Sequence, residues 1–215
     1  YAFVWKTMNI VNFAAGEFLT FGAFIFVATF ATRMDLPFYV AAPLAMVAMA
    51  GLGAAFSRIV FSRLQKQRTI VAIIATVGFG LFLKETARII YGPEPLLYPG
   101  PFGFDSLNFG SVSISKQQIL IFAVVFVITA LQYLVLRYTM IGKVMRAVAQ
   151  DRETAALMGI SVNWVLAGTF AYASVLSALG GILLAPMFFV TTELGTLVGL
   201  KGFVGAIVGG LVSYP

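Results

Sequence analysis

Of the 215 residues, 60% are hydrophobic and 10% are charged, with a net charge of +6. A soluble domain carries about 25% charged residues, so this composition excludes one and requires an integral membrane protein. The chain has neither cysteine nor histidine, which excludes disulfide and thiolate chemistry, the usual metal ligand and the usual proton shuttle. Positive charge on such a protein points to cytoplasmic loops rather than to nucleic acid.

Residues 1–12 read as the tail of an earlier apolar segment that reaches water at Lys6. A first span is expected over 13–32, with Asn12 as its cap and Glu17 in its second turn. Arg33 and Asp35 make a short polar turn. A second span covers 36–57, with Pro43 placed to kink it. Arg58, Arg63, Lys66 and Arg68 follow without an acid. A third span covers 69–90, where Lys84, Glu85 and Arg88 crowd the far end. The loop 91–116 holds four prolines, and Val112 and Ile114 alternate with serines, a hairpin pattern. Spans four and five cover 117–137 and 164–186; an outer segment covers 187–200, and a sixth span, 201–215, begins near Lys201. With no initiator Met or signal peptide, and Pro215 inside an apolar run, truncation at both ends is expected.

The loops 58–68 and 137–163 hold eight of the 14 Lys and Arg. Both fall on one side when the spans alternate, and that side is read as the cytoplasm. Trp164 and Tyr138 flank the larger loop as interfacial aromatics. In span five, Gly168, Ala171, Ser174, Ala178, Gly181 and Ala185 recur at spacings of three and four, and Gly195, Gly199, Gly205 and Gly209 form two GxxxG pairs. Such stripes let helices approach closely, so a bundle is expected.

One long run is both charged and helix-forming, residues 142–160, GKVMRAVAQDRETAALMGI. Val144, Met145, Val148 and Ala149 form an apolar stripe. Asp151 is placed to cap a second short helix with Glu153 in its first turn, and Gly159 is a natural stop. Two short helices bent at Gln150–Asp151 follow, within a cytoplasmic segment 138–163. A phosphate loop at 195–202 is excluded, since only three residues separate Gly195 from Gly199 and Leu200 precedes Lys201. With no nucleophile–base pair evident, the chain reads as a non-enzyme. Glu17 is a functional candidate, being a carboxylate in or near a span; the other reading places it hydrated at a helix start near the cytoplasmic interface. Glu85 has a structural reading, pairing with Arg88. Asn12, Glu17, Thr20, Thr76 and Glu85 are the candidate pathway residues.

Three runs carry a family resemblance: Asn12-Phe-Ala-Ala-Gly-Glu17, the segment from Gly142 to Ile160, and the glycine-rich stretch from Lys201 to Gly210. Together they resemble the LIV-type branched-chain amino-acid permeases of bacterial and archaeal ABC importers. The resemblance spans essentially the whole chain and is most specific over 138–164. It implies an all-α integral membrane protein, a polytopic helical bundle of the importer permease type, multi-pass in the cytoplasmic membrane. It implies that the segment at 142–160 docks on an ATPase, a role carried to Gly142, Arg146, Ala147, Asp151, Ala155, Gly159 and Ile160. The implied partners are ABC ATPase subunits that bind the ATP, a second permease subunit and a periplasmic or extracellular substrate-binding protein, in membrane lipid. No cofactor is expected in this chain and no nucleic acid. Ala15 stands where the family often has His, and the terminal Leu-Val-Ser-Tyr-Pro departs from its usual Gly-Ser-rich continuation. The substrate therefore stays open between branched-chain or related amino acids and urea or short amides, and the other classes are a stand-alone facilitator or channel and a structural or sensory membrane module, which explains the 142–160 segment poorly.

Overall fold

In hydrocarbon, every backbone N–H and C=O must find its partner within the segment, so apolar runs of this length become helices. A computed structural model describes residues 1, 4–5, 10–64, 69–102, 105–109 and 112–210. In chain order its helices are α1 (Ala15–Arg33), α2 (Phe38–Leu64), α3 (Thr69–Tyr91) and α4 (Lys116–Tyr138). Then come α5 (Met140–Gln150), α6 (Arg152–Leu157), α7 (Val162–Leu184) and α8 (Leu194–Val208). Among the described residues, five helices are long and apolar enough to cross a bilayer; α8, at 15 residues, is shorter. A hairpin of β1 (Ser106–Phe109) and β2 (Val112–Ser115) pairs antiparallel with Leu107 opposite Ile114, the strand pattern expected from the alternating serines. The helix of α2 continues through Pro43; its π-helical stretch lies further on, at Ser57–Phe61. The second half of α1, Ile25–Arg33, is also π-helical.

The core is built around α1, which packs against α2, α3, α7 and α8. Small residues set the crossings. A Cβ on Gly22 would lie 2.6 Å from Ala178 Cβ, one on Gly53 would lie 2.2 Å from Ser174 Oγ, and one on Gly181 would lie 2.3 Å from the Leu19 carbonyl. The stripe on α7 is therefore used from Ser174 onward, whereas Gly168 faces open space. Aromatic rings fill what the small residues leave: Phe56 stacks on Phe79 at 4.1 Å and meets Phe170 edge-on at 5.1 Å. By contrast α4 presents its apolar residues outward, and only Gln117 at its start is buried, donating its amide to the Leu183 carbonyl at 2.8 Å.

Ile10 and Asn12, just before α1, are buried at 7% and 2% exposure; the exit to water expected at Lys6 lies outside the described residues. Two expectations are corrected. The last helix starts at Leu194, not near Lys201, because Gly195 and Gly199 gain a tight packing partner that offsets glycine's poor helix propensity. In the stripe of α5, Ala149 points outward, and Gly142 takes its place beside Met145 and Val148. Lys66, Arg68 and residues 211–215 lie outside the described residues, whereas Arg58 and Arg63 close α2 as expected for a cytoplasmic end.

Candidate functional site

Two places gather the candidate residues, a corner where the chain turns between α4 and α7, and a cleft beside α1.

The corner is fixed by local chemistry at each joint. Thr139 caps α5: its hydroxyl accepts from Gly142 N–H at 3.4 Å and donates to the Val135 carbonyl at 2.6 Å. A side chain at 142 would meet the Leu136 carbonyl at 2.1 Å, so glycine alone lets α5 fold back on the end of α4. Arg146 donates its guanidinium to that same Leu136 carbonyl. Asp151 caps α6, accepting from Glu153 N–H at 2.9 Å and Thr154 N–H at 3.2 Å, while Thr154 Oγ1 donates to it at 2.6 Å. These donors, the Thr154 hydroxyl first, hold the Asp151 carboxyl below the usual carboxylate range. The end of α6 closes in a Schellman motif: Gly159 N–H donates to Ala156 at 3.0 Å and Ile160 N–H to Ala155 at 3.1 Å, with Gly159 at φ +81°. The helix pair, its bend, its cap and its stop thus lie where the sequence put them.

The inner face of the corner is Met145, Val148 and Ala155, and the outer face carries large apolar side chains among exposed charged ones such as Lys143, Arg146 and Glu153. Met140, Ile141, Leu157 and Met158 are all more than half exposed. Arg146 and Gly159 are exposed with them, and Ala147 is half-buried. A groove of about 860 Å³ runs beside this face, lined by Arg152, Glu153, Ala156, Ser161, Val162, Asn163 and Trp164. Above it, the Arg58 guanidinium lies 3.7 Å over the Trp164 ring, tying the end of α2 to the start of α7.

The cleft lies deeper. Gly80 is the middle residue of α3, and a Cβ there would come within 3.3 Å of Glu17 Cγ. A helix of this length spans roughly 35 Å, so Glu17 sits near the bilayer midplane. Glu17 falls in the first turn rather than the second because α1 begins at Ala15, two residues later than expected. Asn12 and Thr76 serve that buried helix start: Asn12 Oδ1 accepts from Ala14 N–H at 3.1 Å, and Thr76 Oγ1 accepts from Phe13 N–H at 3.3 Å. The start of α8 reaches the same depth, since a Cβ on Gly16 would lie 2.2 Å from the Gly195 carbonyl. Two helices therefore begin halfway across, an arrangement tolerated only where the backbone borders protein or a cavity.

Around this crossing is a cavity of about 290 Å³ whose wall includes Glu17, Lys84, Thr196, Phe13, Leu81 and Leu200. Thr196 Oγ1 donates to Glu17 Oε1 at 2.9 Å, whereas Glu17 Oε2 and Thr20 Oγ1 are buried without a hydrogen-bond partner. Lys84 Nζ is held by both oxygens of Glu193, at 2.7 and 2.8 Å. Glu85 does not border the cavity; it pairs with Arg88 at 3.5 Å, with both side chains about half exposed. Sequence reasoning singled out Glu17 and Thr20 but missed Lys84, Glu193 and Thr196. Partners 109 and 179 residues apart leave no local signal.

A family model described as "Branched-chain amino acid transport system / permease component" matches residues 1–215. The chain belongs to this family. It is 30% identical over 227 residues to the high-affinity branched-chain amino acid transport system permease protein BraD of Pseudomonas aeruginosa, covering 100% of the chain and 74% of that relative. The LivH permease protein of the same description is 28% identical in Escherichia coli K12 and 27% in Salmonella typhimurium, with the same coverage. No solved structure matches. As a member of this permease family the chain is a transport component rather than an enzyme, multi-pass in the membrane, and the helical bundle is the fold the sequence led one to expect. The resemblance that rested on 12–17, 142–160 and 201–210 is borne out over the full length.

Proposed function

We propose that this chain is a membrane-spanning permease subunit of an ATP-binding-cassette importer that moves branched-chain or related hydrophobic amino acids across the cytoplasmic membrane. ATP is bound and hydrolysed by separate ATPase subunits. A second permease subunit completes the pathway, and a substrate-binding protein delivers cargo at the outer side, against the loop 91–116. The observation that carries this reading is the corner of α5 and α6. A short helix pair, pinned to the end of α4 by Gly142 and Arg146, capped at its bend by Asp151 and packed against α7, presents Met140, Ile141, Leu157 and Met158 outward. Apolar side chains on a cytoplasmic loop need a protein partner. Pinned at both ends, the pair transmits a partner's closing motion as a rigid push, with Ala147, Ala155, Gly159 and Ile160 keeping its shape.

The pathway runs along the α3–α8 cleft. Lys84, Glu193 and Glu17 border that face near mid-depth, where charged groups opposite lipid would be costly. Asn12 and Thr76 position the start of α1, Glu17 and Thr20 border the route, and Glu85 lies towards its outer mouth. The relatives' names favour branched-chain amino acids over urea or amides.

The test is substrate-stimulated ATPase activity of the reconstituted complex. Gly159→Pro breaks a φ of +81° that proline cannot adopt and removes the N–H bonded to Ala156. It should uncouple hydrolysis from uptake while the bundle stays folded. Unchanged stimulation with Gly159→Pro, or uptake that persists without any ATPase, would overturn the coupling role and favour a stand-alone facilitator.

A further inference from the structure

We infer that Glu17 is the anchor for the cargo's ammonium group in the mid-membrane cavity, so that the pathway selects for a protonated amine. This deepens, and rests on, the reading of the chain as an amino-acid permease subunit.

Three observations converge. First, the charges do not balance. Lys84 is the one cationic side chain among the described residues that border the cavity, and both carboxylate oxygens of Glu193 engage it. Glu17 is left as an excess negative charge near the bilayer midplane, where an uncompensated carboxylate is expensive. Second, the Glu17 carboxylate is under-used. It takes one hydrogen bond from the Thr196 hydroxyl at 2.9 Å, while Oε2 is buried with no donor. An ionised carboxylate can accept about four such bonds, and an ammonium offers three donors from a single atom. Third, much of the rest of the wall is apolar: Phe13, Val77, Leu81, Leu200 and Phe203, beside Tyr1, whose hydroxyl donates to the Gly199 carbonyl. A cavity of about 290 Å³ bearing one unpaired carboxylate and a largely apolar wall fits a small hydrophobic amine or amino acid. A carboxylate alone would be repelled by Glu17. Thr196 and Gly195 sit in the first turn of α8, and the Gly16–Gly195 contact fixes the distance between Thr196 and Glu17. The anchor is therefore set by the crossing of two half-depth helices rather than by a mobile loop.

The native chain has no cysteine, so one introduced thiol reports on the cavity. In proteoliposomes holding the whole importer, Leu81→Cys is modified by a small water-soluble methanethiosulfonate. Three probes compete: L-leucine, L-leucinamide, which keeps the ammonium but not the carboxylate, and 4-methylpentanoate, which keeps the carboxylate but not the ammonium. L-leucine and L-leucinamide should slow modification, and 4-methylpentanoate should not. Adding Glu17→Gln, which keeps an acceptor for Thr196, should raise the protecting concentration of L-leucine roughly tenfold or more, the loss of a charge-assisted bond. Equal protection by 4-methylpentanoate, no protection by any of the three, or unchanged protection with Glu17→Gln would overturn the assignment. ATP-driven L-leucine uptake by the same vesicles without Glu17→Gln is read in parallel. Its absence overturns the permease reading itself; its presence without ammonium-selective protection overturns only the role of Glu17.

Discussion

Two helices of similar length, both apolar enough to cross a bilayer, meet opposite fates. Over their most apolar windows, α1 has 56% of its residues buried inside the protein and α4 has none. The more apolar helix is the outer one, with a mean hydropathy of 2.7 for α4 against 1.5 for α1, because lipid tails accept Leu and Phe as readily as a protein interior does. What separates them is small and polar residues. In α1, Gly16, Gly22 and Ala23 admit the backbones of neighbouring helices, and Glu17 and Thr20 require a setting other than hydrocarbon. In α4, Phe122, Val125, Phe126 and Leu131 stand outward, and no glycine interrupts them. Within a bilayer, the bulky apolar residues mark the outside and the unremarkable small ones mark the core.

The contrast can be broken hardest at the α1–α8 crossing. A side chain at 16 meets the Gly195 carbonyl at 2.2 Å, backbone against which nothing can rotate away. Gly16→Leu should cost at least the upper part of the ~1–3 kcal/mol seen for overpacking, and the purified protein should melt early or fail to assemble. Next comes Phe56→Ala, which empties a site 2% exposed between Phe79 and Phe170. Phenylalanine truncation costs about 3–5 kcal/mol in water-soluble cores; without the transfer part, roughly 2 kcal/mol of lost packing should remain in detergent unfolding. The smallest change is expected at Phe122→Ala on α4, 78% exposed, which should stay within about 0.5 kcal/mol of the parent. A large loss there would mean that a second protein, not lipid, covers α4.

The corner of α5 and α6 offers a separate check, on coupling rather than stability. Asp151→Ala removes the acceptor of two N–H groups and should lower substrate-stimulated ATPase activity, whereas Asp151→Asn keeps an acceptor and should be tolerated. The folded carboxyl titrates below its ordinary value, so its contribution is complete above about pH 3.9 and is lost as pH falls through the lower, folded value. Coupling should therefore show no Asp151-dependent change between about pH 5 and 8.

What was legible in the sequence follows from the range of each interaction. Asp151 and Gly159 act on neighbours two to five residues away, so the bend, cap and stop of the helix pair could be read directly. Span positions were legible because hydropathy and length fix them. The depth of Glu17 was not, since it depends on how far α1 begins from the end of α3, a matter of packing. Nor was the start of α8: Gly195 looks like a helix breaker until Gly16 is opposite it. The Lys84–Glu193 pair joins elements far apart in sequence, and single-sequence periodicity carries no trace of it.

The central claim is that the α3–α8 face borders an aqueous route while α4 borders lipid. Spin labels placed singly at 81 and 200, and at 122 and 126, in the membrane-embedded importer test it through collision with water-soluble nickel chelate and with lipid-soluble oxygen. The account predicts nickel-dominated relaxation at 81 and 200 and oxygen-dominated relaxation at 122 and 126. Labels at 81 and 200 that behave like those at 122 and 126 would contradict it.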